Sequence, residues 1–389
     1  MDFDESQEHE LIRKEIRKLC ADFGDEYWRE KDRQHEFPHE FFDTFAEHGW
    51  CGLTIPEEYG GQGYGLQEAS IVQQEISRSG SGQTGVSVTA HHIFASAPLI
   101  RYGSEHLKQK YLPEVASGDV HMTVSVTEPN AGLDTSRIET YAERQGDEYV
   151  VNGQKMWATK AQVSDVIMLL ARTSPREEGS RLSGLTLFFT EFDKSMDTVD
   201  VSLIEKAGRN ASDSNEIWFE DFRIPVEDKI GEEGRGFEYL MEFANSERVS
   251  VASNAIGIGK AALDKAVDYA NERVVFGNKI GSYQAIQHPL SEAWSKLEAA
   301  ELINRKAAWL YDNDRDCGAE ANVAKLRASE AALEACEQAM RTFGGMSYSE
   351  EYDVARYYRE TMLPLLTPVS NEMVNNYIAQ HVLGLPRSY

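Results

Sequence analysis

The stretch FANSERVSVASNAIGIG, residues 243–259, sets the character of the C-terminal part of the chain. It is rich in small residues and carries no charge between Arg248 and Lys260, a pattern typical of a helix buried among other helices. Two adjacent charges, Glu247 and Arg248, stand in its first part. Because a buried charge is costly unless it is paired or used, this pair predicts either an ion pair or a functional site.

The helical pattern extends from this stretch through residues 232–389, where the length and antiparallel connectivity of the segments predict a helical bundle. Residues 1–120 are also predicted to be helical, with a first amphipathic helix capped by Ser6. Residues 121–231 differ, because they consist of short β-branched and aromatic runs between turn residues. The sequence therefore predicts a multidomain α+β protein: an N-terminal helical domain (1–120), a central β-sandwich or β-barrel domain (121–231) and a C-terminal helical bundle (232–389).

The composition of the chain excludes several classes of protein. The 389 residues include 65 acidic and 39 basic ones, and a net charge of −26 argues against a nucleic-acid partner. The sequence has no apolar run near the roughly 18 residues of a membrane span, and its acidic start predicts no targeting segment, so we expect a cytoplasmic protein. The four cysteines lack metal-binding or CxxC spacing, so we expect reduced thiols and no metal. A salt-adapted host is one explanation of the acidic excess.

Several loops have the composition of ligand-binding loops, and each also has a simpler structural interpretation. VSVTEPNAGLDTS, residues 124–136, offers backbone donors to a flat ring or a phosphate, or forms an ordinary turn. In KMWATK, residues 155–160, the indole covers a ring or packs in the core. ANERVVFGNKIGSYQAIQHPL, residues 270–290, supplies a phosphate clamp, a stacking face and an amide, or only a helix end. MRTFGGMSYSEEY, residues 340–352, pairs a basic residue with two glycines that allow close backbone approach.

Together, in this order and spacing, these motifs resemble the acyl-CoA dehydrogenase family over almost the whole chain. The matching stretches are IPEEYGGQG, LKQKYLPEVASGD, VTEPNAGLD, YVVNGQKMWAT, FRIPVEDKIGEEGRG, ERVVFGNKIGSYQAIQH and FGGMSYSEEYDVARYYRE. The resemblance implies the same three-part fold with a four-helix bundle as its C-terminal part, FAD as cofactor and a homotetramer built as a dimer of dimers. It further implies oxidation of an acyl-CoA to its trans-2-enoyl-CoA, with electrons passed to an electron-transferring flavoprotein.

The resemblance also implies which residues bind FAD. The flavin and pyrophosphate are expected on the first loop, with Trp157 and Thr159 covering the ring, and the ADP half is expected across the dimer interface. The expected contacts are Val124, Val126, Thr127, Gly132, Leu133, Trp157, Thr159, Arg273, Phe276, Gln284, Arg341, Gly344, Gly345, Ser370 and Glu372. Leu133 stands where the family commonly has a pyrophosphate-binding serine, and Arg341 stands where glutamine is usual.

The reaction needs a carboxylate to take a proton from the carbon next to the thioester. Many family members carry this glutamate in a loop, at the position that is Pro368 here. A minority, typified by isovaleryl- and long-chain-type enzymes, carries it on the first long C-terminal helix, directly before an arginine. Glu247 matches that place, and its apolar helix face predicts a raised pKa, so it is the expected base. Glu372 is the alternative base.

Pro368 raises a second problem, because proline has no N–H and relatives use the N–H at this position to polarise the thioester oxygen. Loss of one such donor costs about 3 kcal/mol in other enzymes. We expect a replacement, either Val369 or a flavin hydroxyl acting with another side chain. His91 and His92 fall in the region that lines the acyl pocket of relatives, although a packing or surface role is favoured for both.

Two further residues are expected near the substrate: Asn245 beside the CoA, and Arg248 orienting a loop or the CoA end. Other functions remain open at this point. One is a different enzyme on the same scaffold: a flavin oxidase, an enoyl-CoA reductase or an alicyclic acyl-CoA dehydrogenase. The other is a non-catalytic flavin- or CoA-binding subunit, for which the departures at Pro368 and Leu133 are an argument.

Overall fold

The computed structural model describes residues 5–176 and 182–388, apart from the side chain of Glu242. The first part of the described chain is helical. Its helices are α1 (Gln7–Cys20), α2 (Asp25–Gln34), α3 (His39–Glu47), α4 (Leu66–Ile76), α5 (Gly82–Ala90), α6 (Ala97–Tyr102) and α7 (Glu105–Ser117). The hydroxyl of Ser6 accepts a hydrogen bond from the His9 N–H at 3.1 Å, so the predicted N-cap of α1 is confirmed.

A single sheet follows the helices. Its strands are β1 (Met122–Ser125), β2 (Tyr141–Gln145), β3 (Glu148–Thr159), β4 (Val166–Arg172), β5 (Leu185–Glu191), β6 (Val199–Leu203), β7 (Ser214–Pro225) and β8 (Lys229–Ile230). Their order is β6-β7-β3-β2-β4-β5-β8, and β1 pairs in parallel with β4. The central strands β4 and β5 are apolar almost throughout because both of their faces are buried.

The C-terminal part is helical again, with a small hairpin after its first helix. The elements are α8 (Gly236–Glu272), β9 (Val274–Val275), β10 (Asn278–Lys279), α9 (Gln284–Asp312), α10 (Gly318–Phe343), α11 (Val354–Glu360), α12 (Leu363–Leu366) and α13 (Asn371–Tyr377). α8, α9 and α10 pack together through small residues. A Cβ atom at Gly259 would lie 2.9 Å from the side chain of Leu297 and 3.1 Å from the Cα of Ala332. A side chain at this position would require Leu297 and the neighbouring part of α10 to shift, so glycine favours the close approach of the three helices.

The packing of the three parts places the beginning of α8 at their junction. One apolar cluster combines residues of the N-terminal helices, one face of the sheet and the α8 residues Tyr239, Leu240 and Phe243. A second cluster fills the other face of the sheet, and two more lie within the helical parts. The predicted fold class, helical, β and helical in sequence order, is confirmed. In the described ranges, we find no helix with the length and apolarity that a bilayer crossing requires.

Candidate active site

Glu247 lies about three turns into α8, close to the junction of the three parts. Its side chain is half-buried, and the residues on either side of it, Ser246 and Arg248, are buried. The carboxylate has no hydrogen-bond donor among the described residues. Burial raises the pKa of Glu247 to about 7, and the nearby Arg248 opposes this rise without cancelling it. This carboxyl group can therefore exchange a proton near neutral pH.

Arg248 is a buried cation with few partners. Its Nη1 donates to Oδ1 of Asn245 at 3.3 Å, whereas its Nε is buried and has no acceptor among the described residues. Burial lowers the pKa of Arg248, and the neighbouring Glu247 and Tyr377 favour its charged form. The structure thus brings together the predicted base and both predicted substrate-binding residues.

The segment that carries Pro368 is attached to α10 by a buried lysine that sequence reasoning missed. Nζ of Lys325 donates to the carbonyl oxygen of Val369 and to Oδ1 of Asn371, both at 2.7 Å. Burial lowers the pKa of Lys325 to about 8. The N–H of Val369 has no acceptor among the residues described here. This N–H is free to serve a ligand next to the proline that cannot.

The alternative base, Glu372, has a different environment. It is exposed in the first turn of α13, whose N-cap is the Ser370 hydroxyl. Hydrogen bonds from its own backbone N–H and from the Ser370 side chain lower the pKa of Glu372. Its carboxylate therefore stays ionised in contact with water, which makes it a weaker proton acceptor than Glu247.

The exit of β1 presents a backbone donor to the site. The carbonyl of Val126 accepts a hydrogen bond from Nζ of Lys155 at 2.9 Å, and the carbonyl of Thr127 accepts one from the Met156 N–H at 2.8 Å. In a trans peptide the C=O of one residue and the N–H of the next point in opposite directions. The N–H of Thr127 therefore points away from Nζ of Lys155, and it has no acceptor among the described residues.

Trp157 is exposed because β3 contains a bulge. Its pairing with β7 changes register between Lys155 and Ala158, and Trp157 adopts a positive φ of 63°. Strict alternation would place Lys155 and Trp157 on one face, but the lysine is fully buried and the indole is 53% exposed. Thr159 is half-buried at the end of the same strand. The bulge therefore presents an aromatic face beside the exit of β1.

A buried ion pair holds this loop in place, and sequence reasoning missed it as well. The carboxylate of Glu128 accepts hydrogen bonds from Lys155 Nζ at 2.8 Å and from the N–H groups of Glu139 at 2.7 Å and Thr140 at 2.9 Å. Burial would raise the pKa of Glu128, but these donors outweigh it and lower the pKa. Burial lowers the pKa of Lys155 to about 8. The available signal was a lysine inside β3, directly before Met156 and Trp157.

The residues at the exit of β1 fit a flavin ring. Thr127 supplies an open N–H, Trp157 an exposed indole and Ser125 a buried hydroxyl that has no partner among the described residues. The half-buried side chains of Val124 and Val126 complete an apolar edge. Further along the loop, Gly132 and Leu133 are exposed, and Leu133 offers no polar atom where a phosphate contact is expected.

Six of the other residues expected to bind FAD form a second group at the opposite end of α8, whereas Ser370 and Glu372 lie in the segment that Lys325 attaches to α10. Phe276 is 93% exposed at the tip of the β9–β10 hairpin, and Phe276 and Gly277 have positive φ values of 52° and 84°. Arg273 and Gln284 flank the hairpin and are exposed. The ring of Tyr269 stacks on Phe343 at 4.2 Å. This contact places the exposed Arg341, Gly344 and Gly345 on the same surface as the hairpin.

These two groups do not meet within one chain. Glu247 and Arg273 are 26 residues apart on one helix, and a rise of about 1.5 Å per residue separates them by roughly 39 Å. Arg341, at the end of α10, makes an ion pair with Glu337 at 2.6 Å through Nε and Nη2. Within the described chain, the N–H groups on its Nη1 are left for a ligand. The two groups of residues therefore lie far apart within one chain.

Comparison with known proteins identifies the family. Residues 6–119, 123–222 and 234–383 match the family models described as "Acyl-CoA dehydrogenase, N-terminal domain", "middle domain" and "C-terminal domain". The chain is similar to the acyl-CoA dehydrogenase fadE12 of Mycobacterium bovis, with 33% identity over 390 residues that cover 100% of this chain and 99% of the relative.

Solved structures give the same result. The structure of a glutaryl-coenzyme A dehydrogenase in complex with glutaryl-CoA matches with a TM-score of 0.92 and 32% identity, over 100% of this chain and 98% of that one. The FAD complex of PigA matches with a TM-score of 0.92 and 26% identity, over 99% and 100% of the two chains. The chain therefore belongs to the acyl-CoA dehydrogenase family of FAD-dependent oxidoreductases.

Proposed function

We propose that this chain oxidises an acyl-CoA thioester to the trans-2-enoyl-CoA with Glu247 as the base. Glu247 removes a proton from the carbon next to the thioester carbonyl, and the hydrogen on the following carbon leaves as a hydride. FAD, when bound at the exit of β1, supplies the hydride acceptor. Val126, Thr127 and Trp157 orient the ring of the cofactor and shield the reacting atoms from water.

The observation that carries this proposal is the state of Glu247. A general base works best when its pKa lies near the working pH, and the pKa of Glu247 is about 7 because burial is not offset by hydrogen bonds. Glu372 is exposed and its pKa is lowered, so it is less suited to the task. Pro368 has no ionisable group. These features favour the helix position of the base over the loop position.

The Val369 N–H is our proposed donor to the thioester oxygen. It directly follows Pro368 and is free of acceptors among the described residues. Lys325 holds the carbonyl of the same residue at 2.7 Å, which limits rotation of the segment. A fixed N–H is worth more to a developing negative charge than a mobile one, because no reorganisation is needed at the moment of reaction.

We also propose that the active protein is a homo-oligomer, in which a second copy supplies the surface around Arg273, Phe276 and Gln284. The separation of roughly 39 Å along α8 prevents one chain from contacting both ends of one FAD. The almost fully exposed Phe276 fits an interface better than water. On the basis of the family resemblance, we propose a dimer of dimers and an electron-transferring flavoprotein as acceptor.

The test compares the wild type, Glu247→Gln and Glu238→Gln, each purified with FAD and mixed anaerobically with a panel of acyl-CoA thioesters. Glu238 is a matched control, since it is an exposed glutamate on the same helix whose one ion pair among the described residues is with the surface residue Arg235. We expect bleaching of the oxidised flavin in the wild type and Glu238→Gln. In Glu247→Gln, bleaching should slow by about 10³-fold or more, with FAD retained.

The outcomes separate the alternatives. Equal bleaching in Glu247→Gln and the wild type would exclude Glu247 as the base and make Glu372→Gln the next variant to test. Oxygen consumption without an added acceptor would identify an oxidase. A flavin that no thioester bleaches in any variant would contradict the dehydrogenase proposal.

A further inference from the structure

Two neighbouring histidines, His91 and His92, occupy the π-helical turn between α5 and α6, and the structure gives them different roles. Both donate a ring N–H to a backbone carbonyl: Nδ1 of His91 to Met122 at 3.0 Å and Nε2 of His92 to Val120 at 3.0 Å. Because a carbonyl oxygen only accepts, these contacts determine which ring nitrogen carries the proton. The remaining nitrogen of each ring is then an acceptor.

The acceptor of His92 is used by the protein, whereas that of His91 is open. Nδ1 of the fully buried His92 lies 3.4 Å from Nζ of Lys160, which is also fully buried. Nε2 of His91 has no partner among the described residues, and this side chain is only half-buried. Burial lowers the pKa of His91 to about 3, and the charge of Lys160 adds to the effect. His91 therefore stays neutral and retains its acceptor at physiological pH.

The position of His91 connects it to the helix that carries Glu247. Its ring meets the ring of Phe94 edge-on at 6.0 Å, and Phe94 stacks on Phe243 at 6.1 Å. Phe243 is four residues, about one helical turn, before Glu247. Phe94 belongs to the apolar cluster that includes Val124 and Val126 at the exit of β1. His91 thus places an open polar atom next to the apolar cluster that reaches the site.

We propose that Nε2 of His91 accepts a hydrogen bond from the acyl group of the substrate, so that the enzyme prefers acyl chains that carry a hydroxyl or N–H. This inference rests on the proposed function and specifies its substrate class. An apolar chain would cover Nε2 without giving it a donor, and an unpaired buried acceptor opposes binding. A donor on the chain removes that penalty. His91 is then a specificity-determining residue that takes no part in the proton transfer.

The experiment uses pairs of thioesters in which a hydroxyl replaces a methyl group: 6-hydroxyhexanoyl-CoA with heptanoyl-CoA, and 3-(4-hydroxyphenyl)propanoyl-CoA with 3-(4-methylphenyl)propanoyl-CoA. The FAD-loaded wild type is compared with His91→Leu, His91→Gln and the surface control His106→Gln. For at least one pair, the wild type and the control should favour the hydroxylated member about tenfold or more in kcat/KM. His91→Leu should favour the methyl member, and His91→Gln, which keeps an acceptor, should lie between them.

Equilibrium titration with the same thioesters supplies a second readout that does not depend on turnover. In this titration, the proteins with His91 and with His91→Leu both also carry Glu247→Gln. Equal hydroxyl-to-methyl ratios in the wild type and His91→Leu, in both rate and binding, would overturn the inference. A uniform loss of FAD or of activity with every thioester would also overturn it, because it would assign His91 to the cofactor or to folding. If no thioester bleaches the flavin while His91-dependent discrimination persists in binding, the proposed reaction fails and the inference about His91 holds.

Discussion

Two buried or half-buried glutamates, Glu128 in the loop after β1 and Glu247 on α8, have opposite chemistry. Glu128 is 6% exposed and accepts three hydrogen bonds, one of them from the fully buried Lys155. Its pKa is lowered. Glu247 is half-buried, accepts no hydrogen bond from the described residues and has a pKa of about 7. Burial acts on both carboxyl groups in the same direction, so their partners account for the difference.

This difference shows what each part of the site is built to do. Glu128 keeps a permanent charge that orients Lys155, and through it the carbonyl of Val126. Glu247 has no such partner, so its charge is costly and its proton is exchangeable. A carboxylate satisfied by several donors is a poor base because it has little to gain from a proton. The same residue type is thus structural in the loop after β1 and suited to catalysis on α8.

The largest expected effect comes from removing the partner of Glu128. Lys155→Met should destabilise the protein by about 3–5 kcal/mol, because it leaves a buried carboxylate without its counter-ion. Urea unfolding of the FAD-loaded protein, followed by fluorescence, measures this change. The double variant Lys155→Met/Glu128→Gln should recover part of the loss. An unchanged unfolding midpoint in Lys155→Met would show that the backbone donors alone satisfy Glu128.

The comparison also marks what the sequence can predict. The three-part fold follows from the local sequence pattern and the order of the motifs. The proposal that Glu247 is the base follows from its position on α8, directly before Arg248, together with the proline at position 368. The burial of Lys155 does not follow, because it depends on a carboxylate 27 residues away and on a bulge that reverses Trp157. Alternation along a strand gives no warning of a bulge. The anchoring of Val369 by Lys325 likewise depends on a contact between distant elements.

The second prediction concerns stability at Glu247. The folded protein holds the proton of Glu247 up to a pH of about 7, whereas an unfolded glutamate loses it near 4.5. Stability from this group is therefore full at low pH and is lost between pH 4.5 and 7. Glu247→Gln has no such loss and should be more stable than the wild type by about 1–3 kcal/mol at pH 8.

Thermal unfolding of the FAD-loaded wild type, Glu247→Gln and the control Glu238→Gln at pH 5 and pH 8 measures this difference. The gain of Glu247→Gln should shrink sharply at pH 5, where both proteins are uncharged at this position. A gain of equal size at both values would mean that the substitution acts through packing rather than through the buried charge.

The third prediction is a pH dependence of the half-reaction. Proton removal requires the ionised form of Glu247, so kcat/KM for flavin bleaching should rise with pH and level off above the pKa of about 7. Between pH 5.5 and 8.5 the increase should be about 30-fold, since the ionised fraction changes about tenfold per pH unit below the pKa. Stopped-flow measurement at saturating FAD tests this. A profile that is already flat at pH 5.5 would point to an ordinary carboxylate such as Glu372.

The smallest expected effect concerns Arg248, the cation that opposes the rise in the pKa of Glu247. Arg248→Met should move the acidic limb of the bleaching profile to higher pH, because the ionised form of Glu247 loses a favourable neighbour. Arg248→Lys keeps the charge and should leave the limb near its wild-type position, even if the lost contact to Asn245 lowers the maximum rate. If both variants lower the rate without moving the limb, Arg248 acts by holding geometry. If Arg248→Met alone moves the limb, the charge of Arg248 keeps the pKa of Glu247 near 7 rather than above it. The contrast with Glu128 is then one of degree, because Glu128 is hydrogen-bonded to its counter-ion whereas Glu247 only has its counter-ion nearby.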